Sequence, residues 1–537
     1  MITSSNHDSN LEWWRGASIY QIYPRSFMDA NGDGTGDMKG ITQKLDHVAA
    51  LGVDAIWISP FFKSPMDDFG YDVSDYRDVD PCFGTLADFD DMLARAHELG
   101  LKVIIDQVYS HSSSEHAWFQ ESRSSRDNPK ADWYTWVDAK PEGSPPNNWQ
   151  SIFIGPAWTW DARRQQYYLH NFLSTQPDLN LHNPEVQDAL LDTARFWLDR
   201  GVDGFRLDAI NYGMHDVSLN DNPVADPDVW EGYRPVNMQK ALYNSNHKDL
   251  PLFLERVRAL MDEYDDRFTV AEVGGFDAPA VMRTYTQGNQ RLNTAYSFEF
   301  LGLPEFDAAR FAEILSLWPN DANEGWPSWA FSNHDVPRVA SRWGKALAHR
   351  HRCELITLFL ISLRGNIFLY QGEEMGLTQA EIPFEQLRDP EAIKNWPHTL
   401  GRDGARTPMP WIAGACNGGF STVEPWLPVP SEHHALAADQ HGESSLMGSI
   451  KALMHVRRDN PVLKCGDILD IEATDNVLSF TRELGEERIR VVMNFSADEV
   501  TLDLGESARL IAGVSSVGLM DTAPDALPAF SGVIAQV

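Results

Sequence analysis

Basic residues are scarce in this chain: 44 stand against 78 acidic ones in 537, a formal charge of −34. A surface of that sign repels phosphate backbones and anionic lipid head groups, which excludes nucleic acid and membranes as expected partners. No run of residues approaches the apolar length of a membrane span. The opening stretch, MITSSNHDSNLEWWRG, has no basic segment followed by an apolar one, so no signal peptide is expected. Cysteine is almost missing. Cys82, Cys353, Cys416 and Cys465 are scattered and form no C-x-x-C pair, which points to reduced structural thiols and a cytoplasmic location. Internal repeats and low-complexity tracts are absent too.

What the chain does have is apolar content of 43% and eighteen tryptophans, the make-up of a globular, enzyme-sized protein. Its length predicts more than one core, unless a barrel of roughly 250 residues or more takes up most of it. Short β-branched runs alternate with amphipathic helices. The strand candidates are SIYQIYP (18–24), DAIWISP (54–60), KVIIDQVY (102–109), GFRLDAI (204–210), FTVAEVG (268–274), LNTAYSFE (292–299), WPSWAFSNH (326–334) and GNIFLYQG (365–372). Between them, TLADFDDMLARAHELG places Leu86, Phe89, Met92, Leu93 and Ala96 on one helical face. NPEVQDALLDTARFWLDRG offers Asn183 as N-cap, Pro184 at the first helical position and Gly201 as C-cap. Eight strands with intervening helices imply parallel βαβ units, and eight close naturally into a barrel. The competing doubly wound sheet usually carries a Gly-rich phosphate turn after its first strand, and an acidic loop stands there instead. The expected fold is α/β: a (β/α)8 barrel with an inserted domain after strand three and a C-terminal antiparallel β-domain. The expected boundaries are barrel 1–109, inserted Trp-, Ser-, Pro- and Asn-rich domain 110–180, barrel 181–460 and a β-sandwich over 461–537.

The acidic loop is FMDANGDGTGD (27–37), with oxygen-bearing side chains at Asp29, Asn31, Asp33, Thr35 and Asp37. It opens like an EF-hand, but position twelve is Gly40 and a strand precedes it, so the EF-hand reading fails. In a (β/α)8 barrel, catalytic groups project from the C-terminal ends of strands. Those ends carry Asp106 and His111 on strand three, Arg206 and Asp208 on strand four, Glu272 on strand five, and His334 and Asp335 on strand seven. Arg206 and Asp208 share a side of their strand because side chains alternate. A single strand-end carboxylate is usually an ion-pair or capping group. Several gathered in one layer with two histidines cost free energy to bury together and point to chemistry.

DQVYSH, GFRLDA, AEVGG and FSNHD follow the order and spacing of the four signature regions of the α-amylase family of glycoside hydrolases. QPDLN (176–180) resembles a fifth region, and GRDGARTPMPW (401–411) a stretch typical of the α-glucosidase branch. The resemblance runs from about Trp13 to the C-terminal β-domain. It implies Asp208 as nucleophile, Glu272 as general acid/base and Asp335 as a third acid that holds sugar hydroxyls. It also implies His111 and His334 as hydroxyl-binding residues and Arg206 as the group that keeps Asp208 ionised. It further implies that Asp68 would pair with Arg402 and, with Tyr71, close the nonreducing end of the first sugar site, making the site exo-acting. Phe153 and Phe172 of the inserted domain line the pocket or pack within that domain. The loop after strand one would hold one structural divalent ion, calcium before magnesium, through Asp29, Asn31, Asp33, Asp37 and the carbonyl of Thr35. Ser110 stands where amylases carry an Asn that ligates another calcium, so that second site is expected to be absent.

The implied activity is a retaining α-glucosidase acting on short, maltose-like α-glucosides, with sucrose as a further substrate and transglucosylation onto sugar or alcohol acceptors. Dedicated glucosyl transfer or glucoside isomerisation with the same site is the alternative, and a catalytically dead barrel used as a binding partner is a third class. The intact Asp208, Glu272 and Asp335 argue against that last class. A monomer or homodimer is expected. Among relatives, a Val following the nucleophile accompanies α-1,6 cleavage and smaller residues α-1,4 cleavage; Ala209 therefore implies an α-1,4 preference.

Overall fold

A computed structural model describes residues 12–153, 155–229, 234–275, 277–505 and 507–537. Each of the eight anticipated runs is a strand: β1 (Ser18–Ile22), β2 (Ala55–Ile58), β3 (Lys102–Val108), β4 (Gly204–Asp208), β5 (Phe268–Val273), β6 (Thr294–Ser297), β7 (Ser328–Ala330) and β8 (Asn366–Tyr370). They lie in the order β6-β5-β4-β3-β2-β1-β8-β7, every neighbour parallel. A parallel bridge between Ala295 and Pro327 joins the two ends, so the sheet closes into a barrel.

Closure explains why the strands read as unbroken apolar runs, since both faces are covered. Ile19, Trp57, Ile104, Val270, Tyr296 and Phe368 fill the interior, while Tyr20, Ile22, Ile56, Ile58, Val103 and Ile105 pack outward beneath the helices. Side-chain alternation then carries the inward row up each strand. Two residues beyond Ile104 comes Asp106, and two beyond Val270 comes Glu272. The site is thus the topmost layer of the barrel's own core.

The helices of the outer ring are α1 (Met38–Ala49), α2 (Leu86–Glu98), α3 (Pro184–Asp199), α4 (Leu250–Met261), α5 (Ala278–Thr286), α6 (Ala308–Ser316), α7 (His349–Ser362) and α8 (Leu446–Arg458). Thr85 and Asp88 form a capping box that starts α2, which buries Phe89, Met92, Leu93 and Ala96; Leu86 stays half-exposed. Asn183 caps α3 by accepting from the Glu185 N–H, with Pro184 at the first helical position. Gly201 falls one residue later than anticipated: Arg200 is the C-cap, and Gly201 follows in the left-handed region at φ +101°. Few residues but glycine take that turn without strain.

Between β3 and α3 the chain departs from the barrel. Beyond a short helix (Ala117–Ser122) it forms a three-stranded antiparallel sheet of 136–137, 166–169 and 158–161, in that order. The segment is more regular than its composition suggested, and Trp149, Ala157, Trp158 and Leu169 give it a small core of its own. At the other end of the chain, residues 461–465 are helical and the β-structure begins at Asp467. Six antiparallel strands form the main C-terminal sheet, and the facing layer is a two-stranded ladder of Val500–Thr501 with Ala526–Leu527. At the junction Phe306 of the barrel stacks on Phe495 and Phe359 meets it edge-on, with ring centroids 4.7 and 5.8 Å away. Among the described residues no cysteines are paired; Cys353 is buried and Cys416 exposed. No described helix is long and apolar enough to cross a membrane.

Candidate active site

Arg206 organises the upper layer. It is fully buried, and its Nη1 lies 2.5 Å from Asp106 Oδ1 and 2.6 Å from Asp208 Oδ1. Its Nη2 lies 2.7 Å from Glu272 Oε1. Three carboxylates on β3, β4 and β5 therefore share one guanidinium. This follows from register: Asp106 and Val270 are the cross-strand partners of Arg206. Trp57 Nε1 donates to the other oxygen of Asp106 at 2.8 Å, and the Tyr296 hydroxyl bridges Arg206 and Glu272 Oε1 at 3.0 and 3.1 Å.

One cation against three buried acids leaves a charge deficit. Burial pushes Asp208 and Glu272 each up to about 7 and Asp106 up to about 6, with Arg206 pulling the other way at all three. The charge of Asp208 adds to the rise of Glu272, which favours the protonated form of that acid near neutrality. The sequence assigned Arg206 to Asp208 alone; its contact with Glu272 means that it serves both acids. Asp335 behaves oppositely. Burial would raise it, but the Arg406 and Arg402 guanidinium groups hold it well below the usual carboxylate range. Arg406 Nη2 is 2.9 Å from Asp335 Oδ1 and Arg402 Nη1 is 3.5 Å away.

Above this layer opens a cavity of about 490 Å3. Asp68, Tyr71, His111, Phe153, Phe172, Asp208, Glu272, Asp335 and Arg402 all line it. Arg402 Nη2 meets Asp68 Oδ1 at 2.8 Å, the pairing anticipated from sequence, and the Phe153 ring lies 4.7 Å beneath its guanidinium carbon. The same guanidinium is gripped by Asp389 through Nη2 at 3.0 Å and Nε at 3.1 Å. Burial opposes ionisation of Asp389, but Arg402 outweighs it and holds this acid down to about 2. One end of the cavity is therefore walled by a fixed ion cluster. Phe172 packs 5.0 Å from the His111 ring and 6.0 Å from Phe153, so both phenylalanines reach the cavity as well as each other.

Arg206 and His334 stand behind the cavity wall, both fully buried. His334 Nε2 is 2.6 Å from the Tyr71 hydroxyl and 3.2 Å from Asp335 Oδ2, and its Nδ1 is 2.8 Å from Gln21. Both of its ring nitrogens thus have partners within the protein. Burial holds both His334 and His111 below the ordinary histidine value, His111 at about 4, so both rings are neutral. Ser110 Oγ is 2.9 Å from His111 Nδ1.

The acidic loop after β1 forms a tight turn. Asp29 accepts from the Gly32 and Gly34 N–H groups and from Ser421 Oγ, at 2.6, 2.9 and 2.6 Å. Asp37 caps α1 through Gly40 N–H and also accepts from Ala30 and Asn31. Both carboxylates are buried, while Asn31 and Asp33 lie on the exposed rim. Among the described residues no three acidic, histidine or cysteine side chains close on one point as they would around a metal. The donor chemistry of the loop suits a hard cation, and the carboxylate oxygens that accept from the turn's own amides keep further lone pairs free for one.

Motif reading missed Asp389, Tyr296, Trp57 and Arg406. Tyr296 and Trp57 were open to discovery, since each is an inward residue on a strand beside or near the acids. Asp389 belongs to no motif, and only the folded loop brings it to Arg402.

A model of the α-amylase catalytic domain matches residues 21–466. A probable α-glucosidase of Rhizobium meliloti is 50% identical over 511 residues, covering 94% of this chain and 93% of the relative. An oligo-1,6-glucosidase of Heyndrickxia coagulans is 40% identical, covering 92% and 94%. Among solved structures, the α-glucosyl transfer enzyme XgtA superposes with a TM-score of 0.92 at 49% identity, covering 98% of this chain and all of that one. With the barrel, the inserted segment and the acid cluster in place, these matches show that the chain belongs to the α-amylase family of glycoside hydrolases.

Proposed function

We propose that the protein is a retaining, exo-acting α-glucosidase that releases α-glucose from the nonreducing end of short α-glucosides. The observation that carries this reading is the pairing of Asp208 and Glu272 on the two terminal nitrogens of one buried guanidinium, at a cavity walled off by Arg402, Asp68 and Asp389. Two carboxyls tied to one cation belong to the close spacing of a double displacement, about 5–5.5 Å, more than to the wider spacing that admits a water between them. Arg206 holds Asp208 Oδ1, and the other oxygen would attack the anomeric carbon. Glu272 would give its proton to the leaving oxygen. The resulting carboxylate would then draw a proton from water, whose oxygen displaces Asp208 and restores the α configuration. Asp335, held ionised by two arginines, suits the binding of ring hydroxyls and the support of positive charge at the anomeric centre. Proton NMR of fresh digests tests the mechanism: α-glucose should appear first, and β-glucose first would overturn it.

A second reading, transfer of the glucosyl group to a sugar or alcohol, draws support from the 49% identity to an α-glucosyl transfer enzyme. Product analysis on maltose, isomaltose and sucrose, with and without an alcohol, separates hydrolysis, transfer and isomerisation. A divalent ion, calcium before magnesium, is proposed for the loop of Asp29, Asn31, Asp33, Thr35 and Asp37 on its donor chemistry, with a role in stability and none in the reaction.

A further inference from the structure

The backbone ladder between β4 and β5 ends at the pair Leu207–Ala271, one residue short of both Asp208 and Glu272. Past that rung, two contacts join the segments that follow the two acids. The first is the Ala209 N–H, aimed at Glu272 Oε2 at 3.2 Å by the left-handed conformation of Ala209 (φ 38°, ψ 37°). The second is the side-chain amide of Asn211. Its Nδ2 donates to the Gly274 carbonyl at 3.1 Å, and its Oδ1 accepts from the Gly274 N–H at 3.4 Å. Asn211 has no solvent exposure, and its amide imitates a missing ladder rung three residues beyond Asp208 and two beyond Glu272. The turn between is short, a single 3-10 turn over Ile210–Tyr212, so a shift of Asn211 passes directly to Ala209.

We infer that Asn211 is a positioning residue for the acid pair: by clamping Gly274 it fixes the Ala209 N–H on Glu272. It acts through Ala209 and the β5 end and takes no part in proton transfer. The inference rests on the hydrolytic reading above. Glu272 is faced by Arg206, Asp208, Asp335, Tyr296 and the Ala209 N–H, and of these only the last depends on the clamp. The amide hydrogen bond favours the ionised acid, so its loss raises the protonation range of Glu272.

The test compares wild type with Asn211→Ala on maltose and on an aryl α-glucoside with an activated leaving group. First, wild type must hydrolyse maltose with Glu272→Gln inactive on it; failure there overturns the hydrolytic reading, not the clamp. Given that, Asn211→Ala should lower kcat on maltose roughly ten- to a hundredfold, the scale of a small misplacement of reacting groups, with KM nearly unchanged. The alkaline limb of kcat/KM should move to higher pH, and the loss should shrink on the activated substrate, which needs less acid assistance. Equal loss on both substrates with an unmoved alkaline limb would overturn the proposal and leave Asn211 a packing residue. Should Asn211→Ala not fold by circular dichroism, the isosteric Asn211→Asp, which keeps the acceptor and loses the donor, carries the same comparison. There kcat must still fall more on maltose than on the activated substrate, or the clamp is refuted.

Discussion

At the residue scale, burial and one cation pull the three strand-end acids on β3, β4 and β5 in opposite directions. Asp208→Asn and Glu272→Gln should each abolish turnover of maltose with the fold intact by circular dichroism. Glu272→Gln should still release the aglycone of an activated aryl α-glucoside in a burst, because that step needs no acid. With Glu272 pushed up to about 7, wild-type kcat/KM should fall as pH rises past neutrality and Glu272 loses its proton. The variant should lack that limb on the activated substrate, and a retained limb would assign the proton elsewhere. Ala209 illustrates how structure sharpens a sequence argument. It lines the cavity, at the position where the sequence reading placed linkage choice. Its left-handed backbone, however, is a conformation that β-branched residues resist. Ala209→Val should therefore lower overall activity while moving the isomaltose-to-maltose ratio upward, by a contact worth about 1–3 kcal/mol, or roughly ten- to two-hundredfold. An unmoved ratio would refute this account of linkage choice.

Elements translate such local rules into placement. The strands were legible because each is a short, doubly buried run, and α2 and α3 because their caps and apolar faces are explicit. Thr85→Ala should remove the side-chain half of the capping box and cost about 1 kcal/mol, read as a lower urea midpoint with activity unaltered. The loop after β1 carries a different expectation. Chelation, or Asp29→Ala, should lower the melting temperature while specific activity of the folded enzyme stays near wild type. Elemental analysis finding no divalent ion in protein purified without chelator would refute the metal, leaving Asp29 as the post of a turn held by amides. The loop after β8 was legible only in part. GRDGARTPMPW marked Arg402 as a partner of Asp68, but Asp389 sits thirteen residues away in sequence and meets it through a bend with no motif.

Over the whole molecule, pH acts on two opposed sets of buried groups. Burial lowers His111, His116, His170 and His433 to about 4, below the roughly 6.5 of an exposed histidine. As pH falls from about 6.5 toward 4, the unfolded chain binds protons that these rings refuse, and stability is lost. Burial also raises Asp72 to about 6, Asp178 to about 7 and Glu373 to about 8. The unfolded chain releases these protons near pH 4, the folded one only later, so stability is lost as pH rises toward 8. Below about 6.5 the two sets oppose each other; above it only the carboxyls act, together with the repulsion of a charge of −34. The melting temperature should fall from pH 6.5 to pH 8 and recover with added salt, and calorimetry showing a rise with pH would contradict the balance. What the sequence determined by itself was local: strand and helix positions, caps, and the strand-end acids, all set by periodicities of a few residues. Tertiary structure decided which carboxyls burial pushes up, that His334 stands behind the wall, that Asp389 fixes Arg402, and that Asn211 meets Gly274. Those outcomes depend on desolvation and on distances between segments remote in the chain, and neither exists until the barrel closes.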